Sequence, residues 1–328
     1  MSVPARILIT GCRGFVGSYL VEKCHQQYPK AALFGLTGHT PDHTEQLANG
    51  DIQVLVADIT QREEVQRVIA QARPDLVFHL AAQASVATSW QDPLETLNVN
   101  ASGTVHLLEA LRAEQLAPRI VLVGSGEQYG MVRPEENPIR EECPFRPANP
   151  YAVSKVTQDL YGYQYFLAYG LPIIRARPFN HFGPRQAPTL VIARFARQIA
   201  LIEAGKAQLR LSVGNLQARR DFLAVENVVD AYLALAEHGQ PGEAYNIGSG
   251  HARSIHSILD LLLSFSSAPV EVYPDPALLR PVDVPLLEAN ISRLQAHTGW
   301  EPALSFELAL QRTLDYWRTR VATGETNL

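Results

Sequence analysis

A chain of 328 residues with 46% hydrophobic content can bury a sizeable core, which excludes a small disulfide-stapled fold. A net charge of -5 excludes the broad basic field that nucleic-acid backbones require. Cys12, Cys24 and Cys143 are too widely spaced to suggest disulfides or a metal site, and no apolar run approaches the roughly 18 residues of a membrane span, so a metal-free cytoplasmic protein is expected.

In chain order, β-branched runs at 6–10, 31–35, 52–56, 76–80 and 120–124 read as strands, with amphipathic helical periods between them. Strands that lack polar alternation and are separated by helices indicate a parallel sheet covered on both faces. The expected fold is therefore α/β, a Rossmann-type doubly wound parallel sheet. A helical period at 151–169 leads into a strand at 172–177, and then Pro, Gly and Arg cluster from Arg177 to Pro184. That cluster sets the expected boundary between a cofactor-binding domain at 1–176 and a smaller, discontinuous α/β substrate lobe at 177–328. Helices are expected at 188–204, 225–237, 254–265 and 304–319. The run 245–248 reads as a return to the main sheet, which assigns 224–248 to the first domain.

The first strand runs into Thr-Gly-Cys-Arg-Gly-Phe-Val-Gly, where Gly11, Gly14 and Gly17 lie three apart and a helical period opens at Phe15 and Val16. Glycines at this spacing permit a tight turn, admit a pyrophosphate to the backbone and let helix pack on strand, leaving helix N–H groups for phosphate. A dinucleotide is the expected ligand. About twenty residues on, where a carboxylate would hold an unphosphorylated ribose, the chain has Leu36, Thr37, Gly38 and His39. Arg13, inside the loop, can neutralise a 2′-phosphate, so NADP(H) is expected over NAD(H). Asp58 and Ile59 after the third strand, with Leu80, Ala81 and Ala82 after the fourth, extend the expected cofactor edge; Asp58 can accept from an adenine amine.

Tyr151 and Lys155 stand four apart at the start of a helix and so share one face. An ammonium beside a phenol favours the phenolate, which predicts a Tyr151 pKa drawn from about 10 toward neutrality and a general acid/base role. Ser125, within Gly-Ser-Gly-Glu-Gln-Tyr-Gly, follows a strand at the edge where parallel sheets present active-site groups, and it can bond a substrate carbonyl oxygen.

The glycine loop, Ser125, Tyr151 and Lys155 together resemble the extended short-chain dehydrogenase/reductases. Asn98 to Thr104, Arg177 to His181, Arg220 to Phe222 and Arg280 with Pro281 extend the resemblance over almost the whole chain. It implies a catalytic triad of Ser125, Tyr151 and Lys155, with Asn100 behind the triad on the cofactor side. It also implies that Asn180, Arg220 and Arg280 face the substrate diphosphate or the nicotinamide end, and that Ser85, Val191, Gly214, Asn215 and Asp283 line the substrate pocket. Arginine suits phosphate because its planar fork binds two oxygens at once.

Within the nucleotide-sugar branch, Val213 to Leu216 and Arg280 to Pro285 are similar to the GDP-6-deoxy-4-keto-D-mannose reductases, with GDP-mannose 4,6-dehydratases as near neighbours. This resemblance implies reduction of a C4 keto group to give GDP-D-rhamnose, Tyr151 donating the proton. Glu127, two residues beyond Ser125, keeps dehydration open; a 4-epimerase is a third reading and a non-catalytic NADP-binding sensor a remote fourth. Thr-Gly-His-Thr-Pro after the second strand lacks the arginine-rich segment of the dehydratases and tilts the reading to reductase. The resemblance further implies a homodimer joined by the helices after Pro93 and Pro150 in a four-helix interface.

Overall fold

The computed structural model describes residues 3–38, 52–279 and 282–325. The strands are β1 (Arg6–Thr10), β2 (Ala32–Thr37), β3 (Ile52–Val56), β4 (Leu76–His79), β5 (Arg119–Val123), β6 (Ile173–Pro178), β7 (Asn180–Phe182), β8 (Arg210–Val213), β9 (Arg219–Ala224), β10 (Ala244–Ile247), β11 (Ala252–Ser254), β12 (Glu271–Pro274) and β13 (Leu286–Leu287). The helices are α1 (Phe15–Gln27), α2 (Arg62–Ala72), α3 (Val86–Gln91), α4 (Pro93–Leu97), α5 (Gly103–Ala113), α6 (Pro150–Tyr169), α7 (Val191–Glu203), α8 (Val225–His238), α9 (Ile255–Ser264), α10 (Ser292–Thr298) and α11 (Phe306–Ala322).

A seven-stranded sheet in the order β10-β6-β5-β4-β1-β2-β3 organises the molecule, and every pairing within it is parallel. The chain builds outward from β1 to β3, then restarts on the other side of β1 with β4. That reversal opens a crevice at the carboxyl ends of β1 and β4, where ligands of such sheets bind. The return at 245–248 is real: Ala244 to Ile247 pair with Arg175 to Pro178.

Period-two side-chain alternation divides the sheet between two cores. Ile7, Ile9, Phe78, Val121 and Ile174 pack with α1 and α8 on one face, while Leu8, Val77, Ile120, Leu122 and Ile173 pack with α2 and α5 on the other. The inner strands β1, β4 and β5 are thus apolar on both sides along their middles, the reason they lack a polar alternation. Smaller sheets, β11-β9-β13 with β7 and β8 with β12, lean on α7, α9 and α11 around Phe182, Phe195, Phe222 and Trp317. A fourth cluster of Tyr129, Ile139, Phe179, Val284, Leu287 and Ala289 joins the β5 and β6 ends to β13.

Local chemistry sets the element ends. Helix α6 begins where Asn149 accepts from Ala152 N at 2.8 Å with Pro150 behind it, and stops at Gly170, whose φ of 68° is left-handed. The last helix starts at Phe306 rather than 304 because Ser305 caps it through Leu308 N. The second strand runs on to Thr37, two residues past the expected end, because β3 pairs along Leu33 to Thr37.

Candidate active site

Gly11 turns the chain with φ +70°, and a Cβ there would lie 2.9 Å from Ala81 N. A Cβ on Gly17 would lie 2.1 Å from the Gly11 oxygen, so only glycine lets α1 cross β1 this closely. Gly14 is the N-cap of α1 and supplies no side-chain cap, and the first turn carries no acidic residue. The first-turn N–H groups are therefore available to an anion, and the cradle fits a dinucleotide pyrophosphate. Phe15 stacks on the His181 ring at 6.1 Å, closing the loop from below, and Val16 packs on the core beneath. Arg13 is half-buried beside Cys12, whose thiol burial pushes up to about 11 while Arg13 opposes the shift.

Across the crevice, Leu80 N and Ala81 N both donate to Thr10 Oγ1, at 3.1 and 3.0 Å, so the β4 end is moored to β1, and Ala82 follows. Asp58 is exposed at the β3 edge, one of its oxygens accepting from Thr60 N and Oγ1; Ile59 is buried beneath. His39 and the residues after it, including the rest of Thr-Gly-His-Thr-Pro, lie outside the described residues.

Ser125 stands just past β5 and caps the 3-10 turn Gly126–Tyr129, its Oγ accepting from Glu127 N at 3.2 Å while its own N–H donates to Gln128 Oε1 at 2.7 Å. Tyr151, in the first turn of α6, stands close enough to Ser125 for the serine side chain to act on its hydroxyl. Glu127 accepts from Asn149 Nδ2 at 3.3 Å and raises the pKa of Tyr151 electrostatically. Ser125, Glu127, Tyr151 and Lys155 are thus brought together, and the shared face of Tyr151 and Lys155 holds.

The expected fall of the Tyr151 pKa does not hold. Burial pushes it up to about 12, the neighbouring Ser125 side chain opposes this, and Glu127 adds to it. Lys155 does not pull it down because its ammonium is turned to Val123 O at 2.9 Å and Gln158 Oε1 at 2.8 Å. Burial instead lowers Lys155 itself to about 7.

Asn100 lies in a π-helical turn and is fully buried. Its amide donates to Gln83 O and Ser154 Oγ and accepts from Gln83 N, so it braces the triad helix rather than lining the glycine cradle. Behind it, Thr104 Oγ1 donates to Asn100 O, His79 Nε2 meets Thr104 Oγ1 at 2.9 Å, and His79 Nδ1 meets Thr10 Oγ1 at 2.8 Å. With the Thr104 hydrogen on Asn100 O, His79 must donate from Nε2 and accept at Nδ1, a neutral tautomer. Burial, and then Lys155, hold its pKa down at about 3. Ser154 closes the chain by donating to Tyr151 O at 2.7 Å, so hydrogen bonds run unbroken from β1 to the tyrosine.

Arg220, Asn215 and Asp283 converge: Arg220 NH2 reaches Asp283 Oδ1 at 2.6 Å and Asn215 Nδ2 reaches Asp283 Oδ2 at 2.7 Å. Gly214 lies against Leu278 O, where a Cβ would stand 2.8 Å away. Asn180 opens β7 opposite Phe222, Val191 opens α7, and Ser85 is exposed as the cap of α3. Arg280 and Pro281 lie outside the described residues.

Several contributors escaped the sequence reading. Ser125-Gly-Glu-Gln128 has capping-box spacing and Asn149-Pro150 has the signature of a helix start, so Gln128 and Asn149 were legible. Gln158 and His79 carried no such signal. Arg177 and Asp159 form a buried pair through two bonds at 2.9 and 3.0 Å, with Arg175 adding a third at 2.7 Å, which pins α6 to β6.

Residues 8–313 match the family model described as GDP-mannose 4,6 dehydratase. The chain belongs to this family. It is accordingly an enzyme of the extended short-chain dehydrogenase/reductase class, with a nicotinamide dinucleotide as cofactor. Among curated relatives of this family member is a GDP-6-deoxy-D-mannose reductase of Pseudomonas aeruginosa, 35% identical over 96% of this chain and 98% of its own length. Among solved structures, RMD from Pseudomonas aeruginosa complexed with NADPH superposes with a TM-score of 0.82 at 34% identity, covering 96% of this chain and 99% of that one. A UDP-glucose 4-epimerase of Thermotoga maritima with UDP-glucose superposes at 0.87 with 29% identity, covering 96% and 99%. Among the described residues no helix is long and apolar enough to cross a membrane.

Proposed function

We propose that this enzyme uses NADPH to reduce the C4 keto group of GDP-4-keto-6-deoxy-D-mannose, forming GDP-D-rhamnose. The observation that carries the reading is the 35% identity to a GDP-6-deoxy-D-mannose reductase across 96% of the chain. When bound, the reduced nicotinamide supplies the hydride. Ser125 Oγ accepts from Glu127 N, which leaves its own hydrogen for the phenol or a carbonyl oxygen. Tyr151, with a pKa near 12, is protonated at neutral pH and so is set to donate to a forming alkoxide. Lys155, one turn along α6, has one ammonium donor beyond those given to Val123 O and Gln158 Oε1.

In this reading residues 1–176 with the 224–248 return hold the cofactor. Gly11, Gly14, Phe15, Val16 and Gly17 take the pyrophosphate, Arg13 the 2′-phosphate and Asp58 the adenine. Residues 177–328 mainly hold the sugar nucleotide, with Arg220 positioned by Asp283 for the diphosphate. A second copy of the chain covers the exposed Leu94, Val153, Leu160 and Leu167 of α4 and α6 as a homodimer; the last three are spaced seven apart, one stripe along α6.

One observation favours a second reading. Glu127 lies close enough to Tyr151 to shift its pKa, where it can take a C5 proton in a 4,6-dehydration. Separate incubations with GDP-mannose alone and with the 4-keto-6-deoxy sugar plus NADPH decide between them. NADPH consumption with a two-hydrogen mass gain supports the reductase. Loss of water from GDP-mannose without net cofactor change replaces it with the dehydratase, and failure of both sends the search to other nucleotide sugars.

A further inference from the structure

Lys155 is held by two neutral oxygens. Its Nζ donates to Val123 O at 2.9 Å and to Gln158 Oε1 at 2.8 Å, and Lys155 and Gln158 are buried to 3% and 0% exposure. An ammonium has three donors, so one remains for the tyrosine side of the site. Gln158 sits one turn beyond Lys155 on α6, and its Nε2 is buried without a partner. Burying an amide hydrogen in this way is costly, while its oxygen serves the lysine alone among the contacts described.

The charges around the ammonium sharpen the point. His79, at the end of β4, faces it and is neutral. Tyr151 on the same helix is a protonated phenol, and Glu127 from the 3-10 turn acts on Tyr151. Asp159, the residue after Gln158, is engaged by Arg175 and Arg177. No carboxylate contacts the Lys155 ammonium among the described residues, so its charge depends on the dipoles of Val123 O and Gln158 Oε1.

We propose that Gln158 is a positioning residue for the reaction: its amide oxygen holds the Lys155 side chain at the end of β5 and favours its cationic form, which sets the pH window of turnover. The consequence for the site rests on the reductase or dehydratase reading; the effect on the lysine does not. Replacing the amide by a carboxylate gives the ammonium an anionic partner and raises its pKa, and replacing it by a thioether removes an acceptor and lowers it. Steric damage alone does not produce shifts of opposite sign.

The chain holds only four lysines, Lys23, Lys30, Lys155 and Lys206, so carbon-13-labelled lysine resolves Lys155 by NMR, with Lys155→Met providing the assignment. In cofactor-free protein the expected Lys155 midpoint is near 7, where burial draws it. Gln158→Met moves that midpoint down by about one pH unit and Gln158→Glu moves it up by at least as much. The alkaline limb of kcat/KM follows in the same two directions. If Gln158→Met does not fold, Gln158→Glu alone decides, because an upward shift of this size requires side chain 158 to lie within a few ångströms of the ammonium. Midpoints unchanged in the folded variants overturn the proposal, whatever happens to activity. Shifted midpoints in a protein that turns over no nucleotide sugar leave this inference standing and sink the functional reading instead.

Discussion

His79 makes acid stability a direct test of the buried hydrogen-bond chain. Its folded pKa is held near 3 against the ordinary 6.5, so between those values the unfolded chain binds a proton that the folded chain refuses. A base with a depressed folded pKa contributes stability that is present above its unfolded pKa and is lost as pH falls through it. At pH 5, about 1.5 units below that value, the loss is about 2 kcal/mol at 1.36 kcal/mol per unit. Other groups also titrate in this range, so the quantity to measure is a double difference. Urea denaturation of the native protein and of His79→Gln at pH 7.5 and pH 5 provides it. The variant is less stable at pH 7.5 because Thr10 and Thr104 lose a partner, and the gap between the two proteins narrows by about 2 kcal/mol at pH 5. A gap that stays constant would mean that His79 takes up its proton as readily folded as unfolded, and the neutral chain from Thr10 to Tyr151 would be refuted.

Tyr151→Phe is expected to lower turnover by roughly 10²–10⁴-fold while leaving cofactor affinity, read by fluorescence quenching, within a few fold. Gly17→Ala places a methyl 2.1 Å from the Gly11 oxygen and is expected to weaken NADPH binding at least tenfold in calorimetry and to lower the melting temperature. Leu160→Glu puts a charge on an apolar face where Leu160 is 52% exposed; sedimentation velocity is expected to show a shift from dimer to monomer, and a monomeric native protein would dispose of the four-helix interface.

The central sheet was legible because both its faces are buried, so Ile7 to Ile9 and Ile120 to Val123 read as continuous apolar runs and their order with the helices implied the doubly wound form. The glycine loop was equally plain, since the backbone geometry at Gly11 and Gly17 admits no other residue. Ser125, Tyr151 and Lys155 could be named from spacing and resemblance, and the helix bearing the last two announced its start at Asn149-Pro150. Their electrostatics could not. A four-residue interval places Tyr151 and Lys155 on one face but does not say which way the ammonium turns, and the protein turns it to Val123 and Gln158.

What the sequence determined by itself was therefore what depends on local periodicity and backbone sterics: the strands, the cradle, the helix starts and the residue types at the carboxyl edge. Only the tertiary structure decided quantities that depend on burial and long-range neighbours. His79 is neutral because packing buries it completely, and β1 and α5 place Thr10 and Thr104 against its two ring nitrogens. Arg220, Asn215 and Asp283 meet although 63 and 68 residues separate the first two from the third. Dielectric and hydrogen-bond partners are properties of the packed interior, and a pKa that moves by several units there has no counterpart in the order of residues along the chain.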